Sequence, residues 1–220
     1  MVIQLLSFLE CKIANYKKRY SFKKDISFLN KHNLSQSDKS VFSLSDYNGY
    51  QSTPIILCES LVKSGVIKKT DKIIDIGCGC GIFLCYLLSH GFEDVTGIEV
   101  DPKLYKIALK NIEAISKDSK KTNAAKIFNC DFFKFDNIDN YSVFYIFNSF
   151  NSQELYLSLL NKIKESTERK PRRIKIIFLY LTIYSKKALL QSDWIRRTKK
   201  IVDKRQTCYQ CINHVIYENV

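Results

Sequence analysis

The stretch Asp71-Lys-Ile-Ile-Asp-Ile-Gly-Cys-Gly-Cys-Gly81 decides the fold of this 220-residue chain. It opens with a short apolar run that carries Asp75. Glycines then occupy every second position, at Gly77, Gly79 and Gly81. A helical pattern of apolar residues follows over 82–88. Strand, tight glycine loop and helix in this order are the local plan of a nucleotide-binding α/β unit. Glycine suits the loop because the backbone must turn sharply and let a ligand approach its main-chain atoms.

The spacing of these glycines differs from that of a dinucleotide-binding loop. Ile82 stands where such a loop has its third glycine. Asp75, in front of the loop, brings a negative charge to the ligand site. A negative charge favours a cationic ligand without phosphate over a pyrophosphate, because like charges repel.

Four segments, met in chain order, carry a resemblance to a known family. Asp75-Ile-Gly-Cys-Gly-Cys-Gly81 resembles the first motif of class I S-adenosylmethionine-dependent methyltransferases. The segments 95–102, 126–132 and 144–150 resemble the second, third and fourth strands of that fold. The resemblance implies a Rossmann-like, mostly parallel seven-stranded sheet with helices on both faces and an antiparallel C-terminal hairpin. It also implies S-adenosylmethionine as the cofactor.

The resemblance implies a set of cofactor-binding residues around the glycine loop. They are Asp75, Gly77, Cys78, Gly79, Gly81, Glu99, Asp131 and Phe132. Asp75 is expected to fix the amino end of the ligand, and Glu99 to accept from two ribose hydroxyls, since both carboxylate oxygens are acceptors. Asp131 is expected to accept from the adenine amino group while Phe132 packs on the ring. The structural alternatives are a solvated strand-end acid for Glu99 and a turn cap for Asp131.

The candidate catalytic residues are Asn148 and Phe150, in the segment Asn148-Ser149-Phe150. This segment follows the predicted strand 142–147, at the edge of the sheet where ligands of open α/β folds bind. Amino-directed methyltransferases that resemble this family often carry Asn or Asp, then proline and an aromatic residue. Here Ser149 replaces the proline. We expect the Asn148 carbonyl to orient an amine hydrogen and Phe150 to pack on a planar acceptor. The alternative is a turn that precedes a helix.

A short segment before the first strand is a weaker candidate for the site. Tyr50-Gln-Ser-Thr-Pro54 resembles a segment that closes over the donor in some bacterial methyltransferases and their lysine-methylating relatives. It predicts substrate or lid residues at Tyr50, Gln51 and Thr53. Thr53 and Pro54 also form a favoured helix start, with Thr53 as the cap and Pro54 in the first turn.

The charge of the chain is positive and unevenly distributed. The net charge is +13, and residues 162–205 hold fifteen Lys or Arg against four Asp or Glu. A basic face of this density attracts nucleic acid or an anionic membrane surface. Ordinary solvated helix faces are the alternative interpretation. The longest apolar run, 176–183, falls short of the roughly 20 residues that a bilayer requires and predicts a buried strand.

The cysteines favour a reducing, cytoplasmic setting. Eight are scattered along the chain, and three of them, Cys78, Cys80 and Cys85, lie in or just after the glycine loop, where a disulfide would distort it. No metal site is predicted. Cys208, Cys211 and His214 have no second cysteine pair at ligand spacing.

Two parts of the chain are expected to differ in organisation. Residues 1–50 are predicted to be an N-terminal helical extension and linker, with an amphipathic helix over 2–20. Residues 51–220 are predicted to form the methyltransferase domain, in which strands and helices alternate. A capping box at Asn151 and Glu154 is expected to begin the helix 152–166.

The sequence thus predicts an S-adenosylmethionine-dependent methyltransferase with an undetermined acceptor. A small molecule, a glycan precursor or a protein side chain is favoured, since no RNA-binding module is recognised. A tRNA or rRNA methyltransferase that uses the basic 162–205 face is the alternative. A non-catalytic nucleotide-binding Rossmann protein is the second alternative.

Overall fold

The computed structural model of the chain describes residues 18–37, 47–119, 125–203, 205 and 213–220. Most of the predicted helix 2–20 lies outside these residues, as do Cys208 and Cys211. Residues 18–32 are helical and are called α1. The other helices are α2 (Ile55–Lys63), α3 (Ile82–Ser89), α4 (Pro102–Ser119), α5 (Gln153–Arg169) and α6 (Ile183–Leu190). The strands are β1 (Ile73–Ile76), β2 (Val95–Glu99), β3 (Lys126–Asn129), β4 (Val143–Phe147), β5 (Lys175–Leu179), β6 (Ile195–Ile201) and β7 (His214–Asn219).

The strands form a single seven-stranded sheet in the order β3-β2-β1-β4-β5-β7-β6. β1 pairs in parallel with β2 and β4, and the parallel pairing extends outward to β3 and β5. β7 is antiparallel to both β5 and β6. The predicted fold is therefore confirmed, with the reversed strand inside the sheet and β6 at its edge.

The sheet separates two apolar clusters because successive side chains of a strand point to opposite faces. Ile73 packs in the cluster that contains α2 and α3, and Ile74 packs in the cluster that contains α5. By the same alternation Asp75 shares the face of Ile73. α3 lies very close to the sheet: a Cβ on Gly97 of β2 would be 2.6 Å from Leu84 Cδ1. A glycine at this position therefore lets α3 pack directly on β2.

Both predicted helix starts are capped differently from the expectation. The N-cap of α2 is Pro54, which has no side-chain cap, and the first helical amide, Ile55 N, donates to Asp25 Oδ1 of α1 at 2.7 Å. The N-cap of α5 is Ser152, whose side chain accepts from Leu155 N at 3.2 Å. The prediction of Thr53 as cap was wrong because the acceptor comes from α1, 30 residues away in sequence. Such a distant partner leaves no local signal.

The carboxylate of Asp25 makes the contact between α1 and α2 sensitive to pH. Burial raises the pKa of Asp25 to about 6, while its bond to the Ile55 amide works against the rise. Because the pKa of Asp25 is higher in the folded state than in the unfolded chain, its contribution to stability is fully present at any pH below the unfolded-state pKa. This contribution is lost as the pH rises through about 6.

Replacing Asp25 by asparagine is expected to remove this loss, since the amide oxygen still accepts from Ile55 and carries no charge. The stability of Asp25→Asn relative to the unsubstituted chain should be greater at about pH 8 than at about pH 4, as measured by urea unfolding. Asp193→Asn, at an exposed position, is the control and should show no such trend. Parallel pH curves for D25N and the unsubstituted chain would contradict the prediction.

Candidate active site

The glycine loop leaves β1 at the carboxyl edge of the sheet and is held against β2. The backbone amides of Gly77 and Cys78 both donate to Ile98 O, at 2.9 and 3.0 Å. Gly77 and Gly79 have φ values of +77° and +55°, a region that side chains with a Cβ rarely adopt. The loop thus exposes main-chain atoms toward the space above the sheet.

Tyr50 packs directly on this loop. A Cβ on Gly79 would lie 2.4 Å from Tyr50 Cε2, so any other residue would collide with the ring. Burial raises the pKa of Tyr50, and its phenol therefore stays protonated. The segment that was predicted as a weak lid candidate contacts the glycine loop.

Glu99 ends β2 with its carboxylate facing the loop. Its Oε2 accepts from Gly79 N at 2.7 Å, and its Oε1 accepts from Asp101 N at 2.9 Å. The side chain is buried, and burial raises its pKa above the ordinary value. Each carboxylate oxygen keeps acceptor capacity for a further donor. A vicinal diol fits this pair of oxygens.

Asp75 lies beneath the loop and is only 4% exposed. Burial is the main cause that raises its pKa, and the neighbouring charge of Glu99 adds to it. None of the described residues hydrogen-bonds to its carboxylate. Burial disfavours the charged form of both acids, and a cationic ligand in the site would favour it.

The segment after β4 completes the site. Asn148 has φ +49°, a left-handed conformation that is uncommon for a residue other than glycine. Ser149 Oγ donates to Ile76 O at 2.6 Å and joins this segment to the end of β1. Asn48 Nδ2 donates to the backbone and side chain of Asn148. The carboxyl ends of β1 and β4 and the residues near 48 thus meet at one point.

These elements line a cleft that is open to solvent at the carboxyl edge of the sheet. The predicted residues that line it are Tyr50, Gln51, Gly77, Gly79, Glu99, Phe132, Asn148 and Phe150. A small neighbouring cavity is lined by Asp75, Cys78 and Thr53, together with Tyr50, Gln51 and Gly77. The structure therefore brings most of the predicted site residues to one edge of the sheet.

Three predicted residues occupy structural positions. Gly81 is the N-cap of α3 and lines neither cavity. Asp131 Oδ1 accepts from Phe133 N at 2.9 Å and caps the short helical turn Phe132–Lys134, while its neighbours Cys130 and Phe132 line the cleft. Phe150 is 1% exposed and packs against the rings of Tyr47, Phe133 and Tyr156. Their roles toward ligands stay predictions.

Sequence reasoning missed Tyr47 and Asn48, which it assigned to a linker. Both line the cleft, and Tyr47 forms an isolated antiparallel bridge with Phe150. Asn48-Gly49 is a recognisable turn signal. Nothing local in that signal indicates a contact with residues about 100 positions later.

The fold and the cleft together define the class of protein. A Rossmann-like sheet, a glycine loop after β1 and a buried acid at the end of β2 meet at the carboxyl edge of the strands, where ligands of open α/β folds bind. The buried acids of this site favour a positively charged nucleoside ligand. S-adenosylmethionine combines a positive charge with a nucleoside, and the residues present fit this cofactor.

Comparison with known sequences finds similarity to methyltransferases over part of the chain. Residues 74–162 match the family model described as "Methyltransferase domain". A histone-lysine N-methyltransferase, H3 lysine-79 specific, from Dictyostelium discoideum is 34% identical over 110 residues, which are 46% of this chain and 6% of that protein. The EEF1A lysine methyltransferase 2 of Mus musculus is 42% identical over 42 residues, 19% of this chain and 17% of that protein. Each match spans only a small part of the relative's length.

Solved structures agree on the fold. An RNA methyltransferase from Salinibacter ruber, in complex with S-adenosyl-L-homocysteine, superposes with a TM-score of 0.51 at 18% identity over 76% of this chain and 92% of its own. The tRNA (m1A58) methyltransferase TrmI from Aquifex aeolicus gives a TM-score of 0.55 at 15% identity over 85% of this chain and 72% of its own. Residues 74–162 thus match a methyltransferase domain, and the fold is shared with solved methyltransferases, as the sequence predicted.

Proposed function

We propose that this chain transfers a methyl group from S-adenosylmethionine to an amine nitrogen, with a lysine side chain of a protein as the acceptor class. The observation that carries the proposal is Asn148, held in the left-handed conformation at the end of β4 on the wall of the cleft. The two sequence relatives are named as lysine methyltransferases, which supports a lysine acceptor.

The donor would be held by the glycine loop and the two buried acids. Asp75 would pair with the amino end of the donor, and Glu99 with its ribose hydroxyls. The bound cofactor supplies a methyl group on a positively charged sulfur. No residue of the protein has to bond to the methyl group during its transfer. The residues therefore act by holding donor and acceptor in line and by excluding water.

Asn148 is the residue placed to orient the acceptor nitrogen. Its Oδ1 is an acceptor with two lone pairs, so it can take an N–H of the incoming amine while it keeps the bond from Asn48. A nitrogen whose hydrogen is directed to Oδ1 presents its own lone pair elsewhere, toward the donor. The carboxamide thus selects one approach direction.

The test is transfer of a tritiated methyl group into a fractionated cell extract. We expect the label in the protein fraction, and acid hydrolysis should release it as methyl-lysine. Label in methyl-arginine or in small molecules would contradict the lysine assignment. Asn161→Ala, at an exposed position on α5, serves as an active control for each preparation.

One observation favours RNA as a second candidate acceptor. The edge strand β6 exposes Arg196, Arg197, Lys199 and Lys200, and none of these side chains forms an ion pair with a described residue. Charged side chains also keep an edge strand from pairing with another chain. An RNA acceptor requires that the label enter the RNA fraction and that the logarithm of the RNA affinity fall linearly with the logarithm of the salt concentration.

We also propose that the chain consists of a catalytic domain and an N-terminal extension. Residues 51–220 would form the catalytic domain and residues 1–50 an extension whose last four residues, 47–50, line the cleft. Within the described residues, no helix combines the length and apolar content that crossing a bilayer requires.

A further inference from the structure

Three oxygen atoms converge on one side-chain nitrogen beside the cleft. Asn48 Nδ2 lies 3.0 Å from Asn148 O, 3.0 Å from Asn148 Oδ1 and 2.8 Å from Phe150 O. All three are within normal hydrogen-bond distance. The amide nitrogen of Asn48 has two hydrogens, which are shared among the three acceptor oxygens. All three oxygens belong to the segment after β4, which therefore surrounds the NH2 group of Asn48.

The backbone fixes Asn48 in this place. Its neighbour Tyr47 forms the isolated antiparallel bridge with Phe150, and the rings of the two residues are 5.8 Å apart. The amide of Asn48 is 3.4 Å from Ser149 O. Because this main-chain pairing anchors the residue, its side chain is a fixed support for the segment 148–150.

Asn148 needs such a support. Asparagine adopts the left-handed region more readily than other residues with a Cβ, but such conformations persist where the surroundings impose them. Asn48 donates both to the main chain and to the side chain of Asn148. It therefore fixes the backbone conformation and the direction of the carboxamide together.

We propose that Asn48 is a positioning residue for methyl transfer, which acts by holding Asn148 Oδ1 toward the acceptor nitrogen. The inference rests on the role of Asn148 in the proposed function. A carboxamide of Asn148 turned by half a rotation would place its NH2 group against that of Asn48, two donors face to face. Asn48 thus excludes the orientation in which Asn148 could not accept from an amine.

The test compares Asn48→Ala with the isosteric Asn48→Asp. Both remove the donor, so the single-turnover rate of methyl transfer should fall about 100-fold, the usual effect of a displacement near 1 Å. The dissociation constant of S-adenosylhomocysteine, measured by calorimetry, should change by less than about threefold, or roughly 0.6 kcal/mol. Loss of donor affinity in parallel with the rate would show a general structural role and overturn the proposal.

The pH profile gives a readout that packing alone would not change. An aspartate at 48 faces three acceptor oxygens, which disfavour its charged form and raise its pKa. Once protonated it donates one hydrogen to them. The rate of N48D divided by that of the unsubstituted chain should therefore increase as the pH falls from about 8 to about 5.5, whereas the same ratio for N48A should stay constant. A constant ratio for N48D would overturn the proposal.

A measurement without an acceptor separates this inference from the proposed function. In the full chain with S-adenosylhomocysteine, the amides of 149–151 should exchange with deuterium faster in N48A than in the unsubstituted chain, because the support of the segment is lost. Unchanged exchange would overturn the role of Asn48 even if methyl-lysine is formed. If exchange is faster in N48A but the unsubstituted chain methylates no amine, the proposed function is overturned, whereas the role of Asn48 as a support of the segment is not.

Discussion

Replacing Asn148 by alanine is expected to lower the rate of methyl transfer at least about 100-fold while the donor still binds. The side chain lines the cleft at the end of β4, apart from the loop and the acids that would hold the donor. Its carboxamide is the polar group that we assign to the acceptor nitrogen. Single-turnover transfer of a tritiated methyl group and calorimetry with S-adenosylhomocysteine measure the two quantities separately.

Two further variants at this position separate chemistry from backbone strain. Alanine at φ +49° carries a conformational cost that glycine does not, so Asn148→Gly should be as inactive as N148A but more stable. Asn148→Asp keeps the acceptor oxygen and should lose less activity than either. If N148G regained the rate of the unsubstituted chain, the carboxamide would have no part in the reaction.

The contact between the glycine loop and Glu99 was predictable because the residues that determine it are close in sequence. A loop with three glycines, the strand before it and an acid at the end of the next strand are local patterns, and the parallel pairing of β1 with β2 brings them together. Glu99 and Gly79 are 20 residues apart, and the hydrogen bond between them follows from this pairing. Local spacing and sheet topology were thus sufficient to predict that Glu99 lies beside the glycine loop.

The acceptor side was less predictable because it depends on contacts between distant segments. Asn148 could be proposed from its place after a strand, but its left-handed backbone is held by Asn48, 100 residues earlier. The helix start at Ile55 likewise uses Asp25. Polar side chains that bind distant backbone atoms leave no periodicity in the sequence, so both Asn48 and Asp25 were missed.

Glu99→Gln should weaken donor binding about 10- to 100-fold, which corresponds to the loss of one hydrogen bond to a charged group. The carboxylate now accepts from two backbone amides with one oxygen each. A glutamine at this position has one acceptor oxygen, and its NH2 group would face one of those amides, donor against donor. It can therefore neither complete the support of the loop nor accept from both hydroxyls of a ribose.

The pH dependence of donor binding tests the role of Glu99 most directly. Burial raises the pKa of Glu99, so the carboxylate takes up its proton at a higher pH than an exposed glutamate does. A protonated carboxyl has lost acceptor capacity, so affinity for S-adenosylhomocysteine should fall as the pH is lowered through this raised pKa. In E99Q the step contributed by Glu99 should be absent.

Glu113→Gln is the matched control, since Glu113 lies on the exposed face of α4 and pairs only with Lys117 among the described residues. Its donor affinity should equal that of the unsubstituted chain at every pH. Equal affinities for E99Q and E113Q would mean that the acid at the end of β2 supports the glycine loop alone. The ribose would then have to be held by another group in the cleft, and Asp101, which also lines it, would be the next to replace.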